Sequence, residues 1–253
     1  GNKWSGDALI GADGVWSALR EVLLKDGKPV PTGHLAYRAL VAQSDLPAAL
    51  RSQQVTAWLG PNTHMVQYPV QSGRYLNVVA IVHEPAGKAW DMTDWDHSAQ
   101  ASVLRTHLQQ ACAPVQDLVQ AIDGWRLWVL HGRTPMRAAA EHAQGRIALV
   151  GDAAHPMFPY LAQGAGMAIE DACALGASLA MPGMAVAQQL QTFANARWQR
   201  NARVQARSAR NGKIFHARGL VAVGRNASLR LLGERLLDVP WLYRGPAPVS
   251  PSA

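Results

Sequence analysis

The residues best suited to chemistry are concentrated in residues 145–171, GRIALVGDAAHPMFPYLAQGAGMAIED. This order predicts a short buried strand, a polar turn at Gly151 and Asp152, a proline-rich loop, and a helix entered at residues 164–166. It places one carboxylate and one helix N-terminus at the carboxyl end of a strand, where both can bind a polyhydroxylated, partly anionic ligand. A turn or capping role for Asp152, and simple close packing for the small residues, are the structural alternatives.

His64 and Tyr68 form a second candidate pair. They lie four residues apart in an extended segment, so both side chains are expected on the same face. His64 is expected to titrate near neutral pH, and Tyr68 can relay a proton or donate to an oxyanion. The alternative is a satisfied sheet histidine beside a core tyrosine.

Composition restricts the classes of protein. The 253 residues are 49% hydrophobic and 16% charged, which indicates one large globular domain or two small ones. No apolar run reaches the ~18–20 residues that span a bilayer, and the first residues lack a signal-peptide pattern. Cys112 and Cys173 have no metal or redox spacing, so we expect reduced core thiols and a cytoplasmic protein.

The formal net charge is +7, and much of the excess recurs every three or four residues between Arg197 and Arg218. This spacing predicts one stripe on a helix, solvated or salt-bridged, rather than a nucleic-acid site, because no binding module accompanies it. The sequence also lacks G-x-S-x-G, H-E-x-x-H, P-loop and Cys/His metal motifs. We therefore expect no metal and no nucleic acid.

The elements that position these residues follow from the pattern of apolar residues. The chain predicts a strand–turn–helix, an antiparallel sheet of about four strands, and a second strand–turn–helix followed by C-terminal helices. The fold class is α+β, or mixed α/β, with an incomplete first α/β layer. Helices are predicted at residues 17–24 with Ser17 as N-cap, and at 98–112, 114–122, 166–180, 185–212 and 217–239. Strands are predicted near residues 7–11, four times within 34–84, and at 125–132 and 146–150, with a loop at 84–97 that carries Trp90 and Trp95 and a frayed tail.

Two segments resemble one family. GDALIGADGVWSALR at residues 6–20 is similar to the Asp-Gly motif of the FAD-dependent aromatic hydroxylases, the class A flavoprotein monooxygenases. Residues 145–172 resemble the Gly-Asp motif of the same family. Between them, AYRALV, HMVQYPV and residues 74–83 resemble the substrate sheet of its salicylate, hydroxybenzoate and hydroxynicotinate hydroxylase branch. The resemblance covers about residues 6–218.

The resemblance implies an architecture. Residues 1–33 and 133–183 would form part of a three-layer FAD/NAD(P)-binding domain, residues 34–132 an antiparallel-sheet substrate domain, and residues 184–253 C-terminal helices and a tail.

It also implies roles for single residues. Asp152, beside Gly151, would hold the ribityl chain of FAD. Pro159 would shape the loop over the ring, and the backbone N–H groups of Gly164, Ala165 and Gly166 would face its pyrimidine end. Asp13, Gly14 and Arg20 would help to hold the FAD and NAD(P)H phosphates, although ADG alone is an ordinary turn. These cofactor residues are Asp13, Gly14, Arg20, Gly151, Asp152, Pro159, Gly164, Ala165 and Gly166.

The implied catalytic residues are His64, Tyr68 and Tyr160. Relatives place a His and a Tyr near the first two positions, and several carry His where this chain has Tyr160. Arg38 faces either the flavin or an anionic substrate, or is an exposed sheet arginine. His155 is expected to be a structural residue of the motif rather than a base.

The implied activity is that of a monooxygenase. NADH or NADPH reduces FAD, O2 adds at flavin C4a, and the hydroperoxide transfers one oxygen to a small anionic aromatic substrate, in the cytoplasm and without an integral membrane segment. The family opens with strand–GxGxxG–helix, which these residues lack. We therefore expect a C-terminal portion of a hydroxylase, with a non-catalytic remnant or a subunit that needs a separate N-terminal FAD-binding chain as alternatives. The expected protein partner is a second copy in a homodimer or the missing N-terminal half.

Overall fold

The computed structural model describes residues 2–84, 97–99, 101–236 and 238–245. The chain forms two compact units. The first unit comprises residues 1–30, 131–212 and 232–253, and the second unit comprises residues 31–130 and 213–231. A parallel strand pair in the first unit and an antiparallel sheet in the second confirm the mixed α/β fold class.

The strands are β1 Leu9–Gly11, β2 Val30–Ala42, β3 Thr56–Gly60, β4 Thr63–Val70, β5 Tyr75–His83, β6 His97–Ala99, β7 Trp125–Gly132, β8 Ala143–Gln144 and β9 Ile147–Leu149. The helices are α1 Ala18–Leu24, α2 Ala101–His107, α3 Ala113–Gln120, α4 Ala139–His142, α5 Gly164–Leu179, α6 Val186–Phe215, α7 Gly219–Leu232 and α8 Pro240–Tyr243. Nearly all of the predicted loop at 84–97, with Trp90 and Trp95, and nearly all of the predicted tail lie outside the described residues.

Two predicted helices have the wrong bounds. The helix predicted at 98–112 begins only at Ala101, because residues 97–99 pair with β7 as an edge strand. The helix predicted at 217–239 ends at Leu232, where Gly233 has a φ of 50° and breaks the helical conformation.

Residues 213–231 belong to the second unit, whereas the sequence grouped residues 184–253 together.

The first unit joins the two strand–turn–helix segments at one sheet. Its strand order is β1-β9-β8, and β1 runs parallel to β9 with Leu9 opposite Ile147. Gly11 ends β1 in close contact with its neighbours, because a Cβ there would lie 2.7 Å from Leu149 and 2.8 Å from Leu19. Parallel pairing brings the turns after β1 and β9 to the same sheet edge, the usual ligand position in α/β sheets.

The second unit contains a six-stranded sheet in the order β3-β4-β5-β2-β7-β6. Alternate residues, such as Tyr37 on β2 and Met65 on β4, pack in one core with Leu104 and Leu118 from the helical segments. The intervening residues of these strands therefore lie on the opposite face of the sheet.

The two cysteines are free and exposed, so their predicted core location is wrong. Cys112 precedes α3, and Cys173 lies on α5 between buried positions. Among the helices of the described segments, none is both long and apolar enough to cross a membrane.

Candidate functional site

An open cleft of about 560 Å³ lies at the shared sheet edge of the first unit. It brings together five predicted cofactor residues, because the turns after β1 and β9 and the start of α5 all line it. The lining residues are Ala12, Gly14, Val150, Gly151, Asp152, Met157, Gly164, Ala165 and Ala168. The small side chains leave backbone accessible to a ligand.

Asp152 supplies a carboxylate to this cleft. The side chain is exposed and makes no hydrogen bond to any described residue. Burial raises the pKa of its carboxyl, while the neighbouring His155 lowers it. Because the side chain is exposed, solvent stabilises its charged form, and we expect an ionised acceptor at neutral pH.

The turn that carries Asp152 is hydrogen-bonded to the buried Asp171. Gly151 has a φ of 57°, and its N–H donates to Asp171 Oδ2 at 3.0 Å. The same carboxylate accepts from His155 Nε2 at 2.5 Å, from Arg197 Nε at 2.8 Å and from Asn201 Nδ2 at 2.9 Å. Asp171 is fully buried, so these bonds fix the turn against the interior.

The partners of Asp171 also determine its ionisation. Burial alone would raise the pKa of the carboxyl, but the hydrogen bond and charge of His155, and the hydrogen bonds of Arg197 and Asn201, hold the pKa well below its usual range. Asp171 is therefore a charged anchor at neutral pH. His155 has the structural position expected from the sequence, buried against this carboxylate.

The sequence analysis did not identify Asp171 as a site residue. The helical spacing could have identified it. Met167, Asp171, Ala174 and Ser178 recur at the spacing of one buried helix face, and an acid on such a face requires a partner. That partner, Arg197, belongs to the predicted basic stripe.

This part of the stripe is salt-bridged rather than solvated. Arg197 is fully buried, with Nη1 also 2.8 Å from Glu170. Arg200 pairs with the same Glu170 through two contacts of 2.7 Å. Arg197 and Arg200 thus anchor α6 to α5.

The N-terminus of α5 presents hydrogen-bond donors to the cleft. The first N–H of the helix with a partner is that of Met167, which donates to Gln163 at 2.9 Å. The N–H groups of Gly164, Ala165 and Gly166 make no hydrogen bond within the described residues. Together with the helix dipole, these three donors favour an anionic or carbonyl-bearing ligand group.

The Asp-Gly segment contributes differently from its prediction. Gly14 lines the cleft with a φ of 74°, but Asp13 accepts from the Leu19 N–H, in the first turn of α1, at 3.3 Å. Burial acts to raise the pKa of Asp13, and hydrogen bonds from Ser17 and backbone N–H groups lower it overall.

Arg20 is not brought into the cleft. It is buried and donates to Asp26 at 2.7 Å, to the Ala154 carbonyl at 2.6 Å and to the Thr134 carbonyl at 2.9 Å. The structure therefore gives Arg20 a scaffold position beneath the turn, with its guanidinium already occupied.

The loop residues Pro159 and Tyr160 begin a short 3-10 turn. Pro159 is exposed, whereas Tyr160 is buried and its ring packs on the backbone of Gly212, where a Cβ would lie 2.5 Å away. Burial raises the pKa of Tyr160. Its phenol is therefore protonated at neutral pH, and Gly212 is required for the packing.

In the second unit, His64, Tyr68 and Arg38 share the sheet face opposite the helix-packed core. Arg38 is exposed, and its Nε donates to Asn77 Oδ1 at 2.9 Å. Asn77 lies directly opposite Tyr68 in the sheet. A cation on β2 and a phenol on β4 thus lie on one face of the sheet, with Asn77 of the intervening strand β5 between them.

His64 differs from its expected titration. It is buried, and burial, together with the charges of His216 and His34, lowers its pKa to about 3. The expectation that it titrates near neutral pH is therefore wrong, and the imidazole is neutral at rest. Its Nδ1 lies 2.7 Å from His216 Nε2, a pairing that the sequence did not suggest.

In the described part of the chain, no group of three or more His, Cys, Asp or Glu residues is arranged to hold a metal ion. The cleft of the first unit and the polar sheet face of the second unit hold most of the predicted site residues.

Comparison with known proteins gives consistent matches. Residues 4–208 match the family described as FAD binding domain. The chain is 36% identical over 245 residues to a 3-hydroxybenzoate 6-hydroxylase of Polaromonas naphthalenivorans, covering 96% of this chain and 59% of the relative. It is 34% identical over 245 residues to 3-hydroxybenzoate 6-hydroxylase 2 of Aquipseudomonas alcaligenes, covering 96% and 74%.

A solved structure, described as a salicylate hydroxylase substrate complex, superposes with a TM-score of 0.81 at 27% identity, covering 95% of this chain and 62% of that one. The first of the two relatives extends well beyond the aligned part, and the chain spans about three fifths of its length.

Proposed function

The chain belongs to the FAD binding domain family, among the FAD-dependent aromatic hydroxylases, and from this membership we propose that the whole protein is a monooxygenase that hydroxylates a small anionic aromatic compound. Membership confirms the family predicted from the two motifs. NADH or NADPH and O2 are the proposed co-substrates. The observation that supports the proposal most strongly is the cleft that joins the exposed Asp152 carboxylate to the N-terminus of α5.

The residues present fit FAD. The Asp152 carboxylate is an acceptor without a described protein partner, as the hydroxyls of a ribityl chain require. The N–H groups at residues 164–166 are donors for the carbonyl-bearing end of the ring. Gly14 and Gly151 have no side chain that would obstruct the cleft. When bound, FAD supplies the redox and oxygen-transfer chemistry, while the protein supplies placement and proton handling.

We propose that the polar sheet face binds the substrate. Arg38 would pair with a carboxylate, and Asn77 holds its guanidinium in place. His64, neutral at rest, can accept a proton from a substrate hydroxyl, and the half-buried Tyr68 can donate to the resulting oxyanion. Two relatives are named for 3-hydroxybenzoate, which carries a carboxylate and a phenol, the two groups that this face can bind.

FAD affinity tests the cofactor site. In the full-length protein, Asp152→Ala should weaken FAD binding by about 10- to 100-fold, because a charge-assisted hydrogen bond contributes about 1.5–3 kcal/mol. Flavin fluorescence titration measures this affinity. Asp45→Ala, a change of an acidic residue in the second unit, is the control and should bind FAD like the wild type. Unchanged affinity in Asp152→Ala would contradict the proposed site.

Substrate discrimination tests the sheet face. Arg38→Gln should weaken binding of 3-hydroxybenzoate while leaving that of uncharged phenol almost unchanged, because the lost contact is to the carboxylate. Equal losses for both compounds would argue against this role.

We also propose a cytoplasmic location, because both cysteines are free thiols.

A further inference from the structure

Another cavity, of about 360 Å³, lies within the second unit between the β3–β4 turn and the connection from α2 to α3. Its apolar part is formed by Trp58 and Met65 from the sheet and by Leu108 and Val115 from the helical segments. Met65, Leu108 and Val115 are each at most 3% exposed, whereas Trp58 is only partly buried. Trp58 therefore keeps apolar surface that a ligand can cover.

Hydrogen bonds fix the backbone on both sides of this cavity. The side-chain amide of Gln116 donates to the carbonyls of Ala111 at 2.7 Å and of Gln109 at 3.0 Å, which holds the α2–α3 connection in place. On the sheet side, the Thr63 hydroxyl donates to the Ile81 carbonyl at 3.0 Å. The cavity is therefore preformed, as ligand pockets usually are.

The size and charge of the cavity restrict what it can bind. An apolar cavity of about 150 Å³ holds one benzene molecule, so a cavity of about 360 Å³ suits a two-ring compound. None of the described lining residues is Asp, Glu, Lys or Arg. His64 also lines the cavity, and its pKa of about 3 leaves it neutral. A charged ligand would therefore lose its hydration without gaining a fixed ionic partner.

The polar groups of the lining that remain available include N–H donors. The Thr106 hydroxyl already donates to the Ser102 carbonyl at 3.0 Å. The indole N–H of Trp58 and the side-chain amide of Gln110 make no hydrogen bond to any described residue. A carbonyl oxygen on the ligand is the matching acceptor for such groups.

We propose that this cavity is a binding site for an uncharged two-ring aromatic compound that carries a carbonyl group. The rings would contact Trp58 and Met65, and the carbonyl oxygen would accept from the indole N–H or from Gln110. Trp58 and Met65 pack on the helix side of the sheet, whereas Arg38 and Tyr68 lie on the opposite face. The site is therefore distinct from the proposed substrate face, and binding there does not depend on the proposed function.

Coumarin, a neutral two-ring compound with one carbonyl, tests the site by isothermal titration calorimetry on the full-length enzyme. We expect a Kd of about 10 μM to 1 mM, which is ordinary for a ligand of this size. Coumarin-3-carboxylate should bind at least about tenfold more weakly, because its charge has no fixed partner. Saturating 3-hydroxybenzoate should leave the Kd of coumarin within about twofold of its value alone. A Kd that rises in proportion to the 3-hydroxybenzoate concentration would put coumarin in the substrate site and overturn the proposal.

Cys112 provides a variant and a reporter, because it lines the cavity and is exposed. Cys112→Trp should fill the cavity and abolish coumarin binding. Cys173→Trp, the same change at an exposed cysteine of the first unit, should bind coumarin like the wild type.

Thiol labelling gives a second measurement that needs no large side chain. In Cys173→Ser, coumarin at about ten times its Kd should slow the reaction of Cys112 with Ellman's reagent by about tenfold. In Cys112→Ser, the reaction of Cys173 should be unchanged. No coumarin binding up to its solubility limit, wild-type affinity in Cys112→Trp, or equal labelling of Cys112 with and without coumarin would overturn the site. Hydroxylation of 3-hydroxybenzoate, measured separately, tests the proposed function whatever the result with coumarin.

Discussion

Replacing Asp171 with alanine should destabilise the first unit more than any change at the surface of the cleft. The substitution removes the acceptor of four hydrogen bonds in one step, from Gly151, His155, Arg197 and Asn201. All four donor residues are buried. The turn that presents Asp152 then loses its connection to α5 and α6.

The size of the effect follows from the contacts that are lost and kept. Removing one partner of a buried ion pair costs about 3–5 kcal/mol, and leaving a buried N–H unpaired costs about 1–3 kcal/mol. Arg197 keeps its contacts with Glu170 at 2.8 Å and Asn201 at 2.9 Å, which reduces the total. We therefore expect a loss of about 3–4 kcal/mol, or a Tm lower by about 6–16 °C.

Urea unfolding at neutral pH, monitored by tryptophan fluorescence, measures the loss in free energy of unfolding. Calorimetry measures the change in Tm. Asp152→Ala is the matched control, because that carboxylate is exposed and makes no described hydrogen bond, so its cost should stay within about 0.5 kcal/mol. Asp171→Asn preserves the volume and should fall between the two. FAD titration should show the opposite pattern for the control, with intact stability and weakened binding.

A loss below about 1 kcal/mol in Asp171→Ala would refute the anchoring role, because the estimate for a broken buried pair is several times larger. An equal loss in Asp152→Ala would refute the assignment of separate structural and ligand-binding roles to the two carboxylates.

Further expectations concern backbone contacts and pH. Gly11→Ala should cost about 1–3 kcal/mol in urea unfolding because its Cβ meets Leu149 and Leu19, whereas Gly176→Ala, with open space on a helix, should be neutral or stabilising by up to about 1 kcal/mol. Burial, together with nearby positive groups, lowers the pKa of His142 to about 3, so the unfolded chain binds a proton that the folded one does not. Its contribution is complete above about pH 6.5 and is lost as the pH falls toward 3, with a slope of up to about 1.4 kcal/mol per pH unit that His142→Gln should remove.

Local sequence patterns were sufficient to predict many of the strands and helices. Alternating apolar residues and short turns were enough to identify β4 and β5, and Ser17 accepts from the Arg20 N–H as an N-cap should. The predicted helix at 98–112 was too long because the pairing of residues 97–99 with β7 depends on a partner distant in sequence.

The position of the cleft could be predicted from the sequence, but the ionisation and burial of several charged or titratable residues could not. Asp152 and the glycines after it follow from a contiguous motif, but the pKa of His64 depends on His216, which is 152 positions away. Arg20 and Asp171 were likewise ambiguous, because charged residues of either kind are expected at the surface until packing shows that they are buried.

The parallel pairing of β1 with β9 has a consequence for the order of events during translation. Leu9 leaves the ribosome roughly 140 residues before its partner Ile147, and at about 5–20 residues per second this corresponds to a delay of about 7–28 s. Most of the second unit is synthesised in that interval, and its hairpins contain only local contacts. The cleft is therefore completed late, so a nascent chain stalled before β9 would carry a structured insert and an unpaired β1.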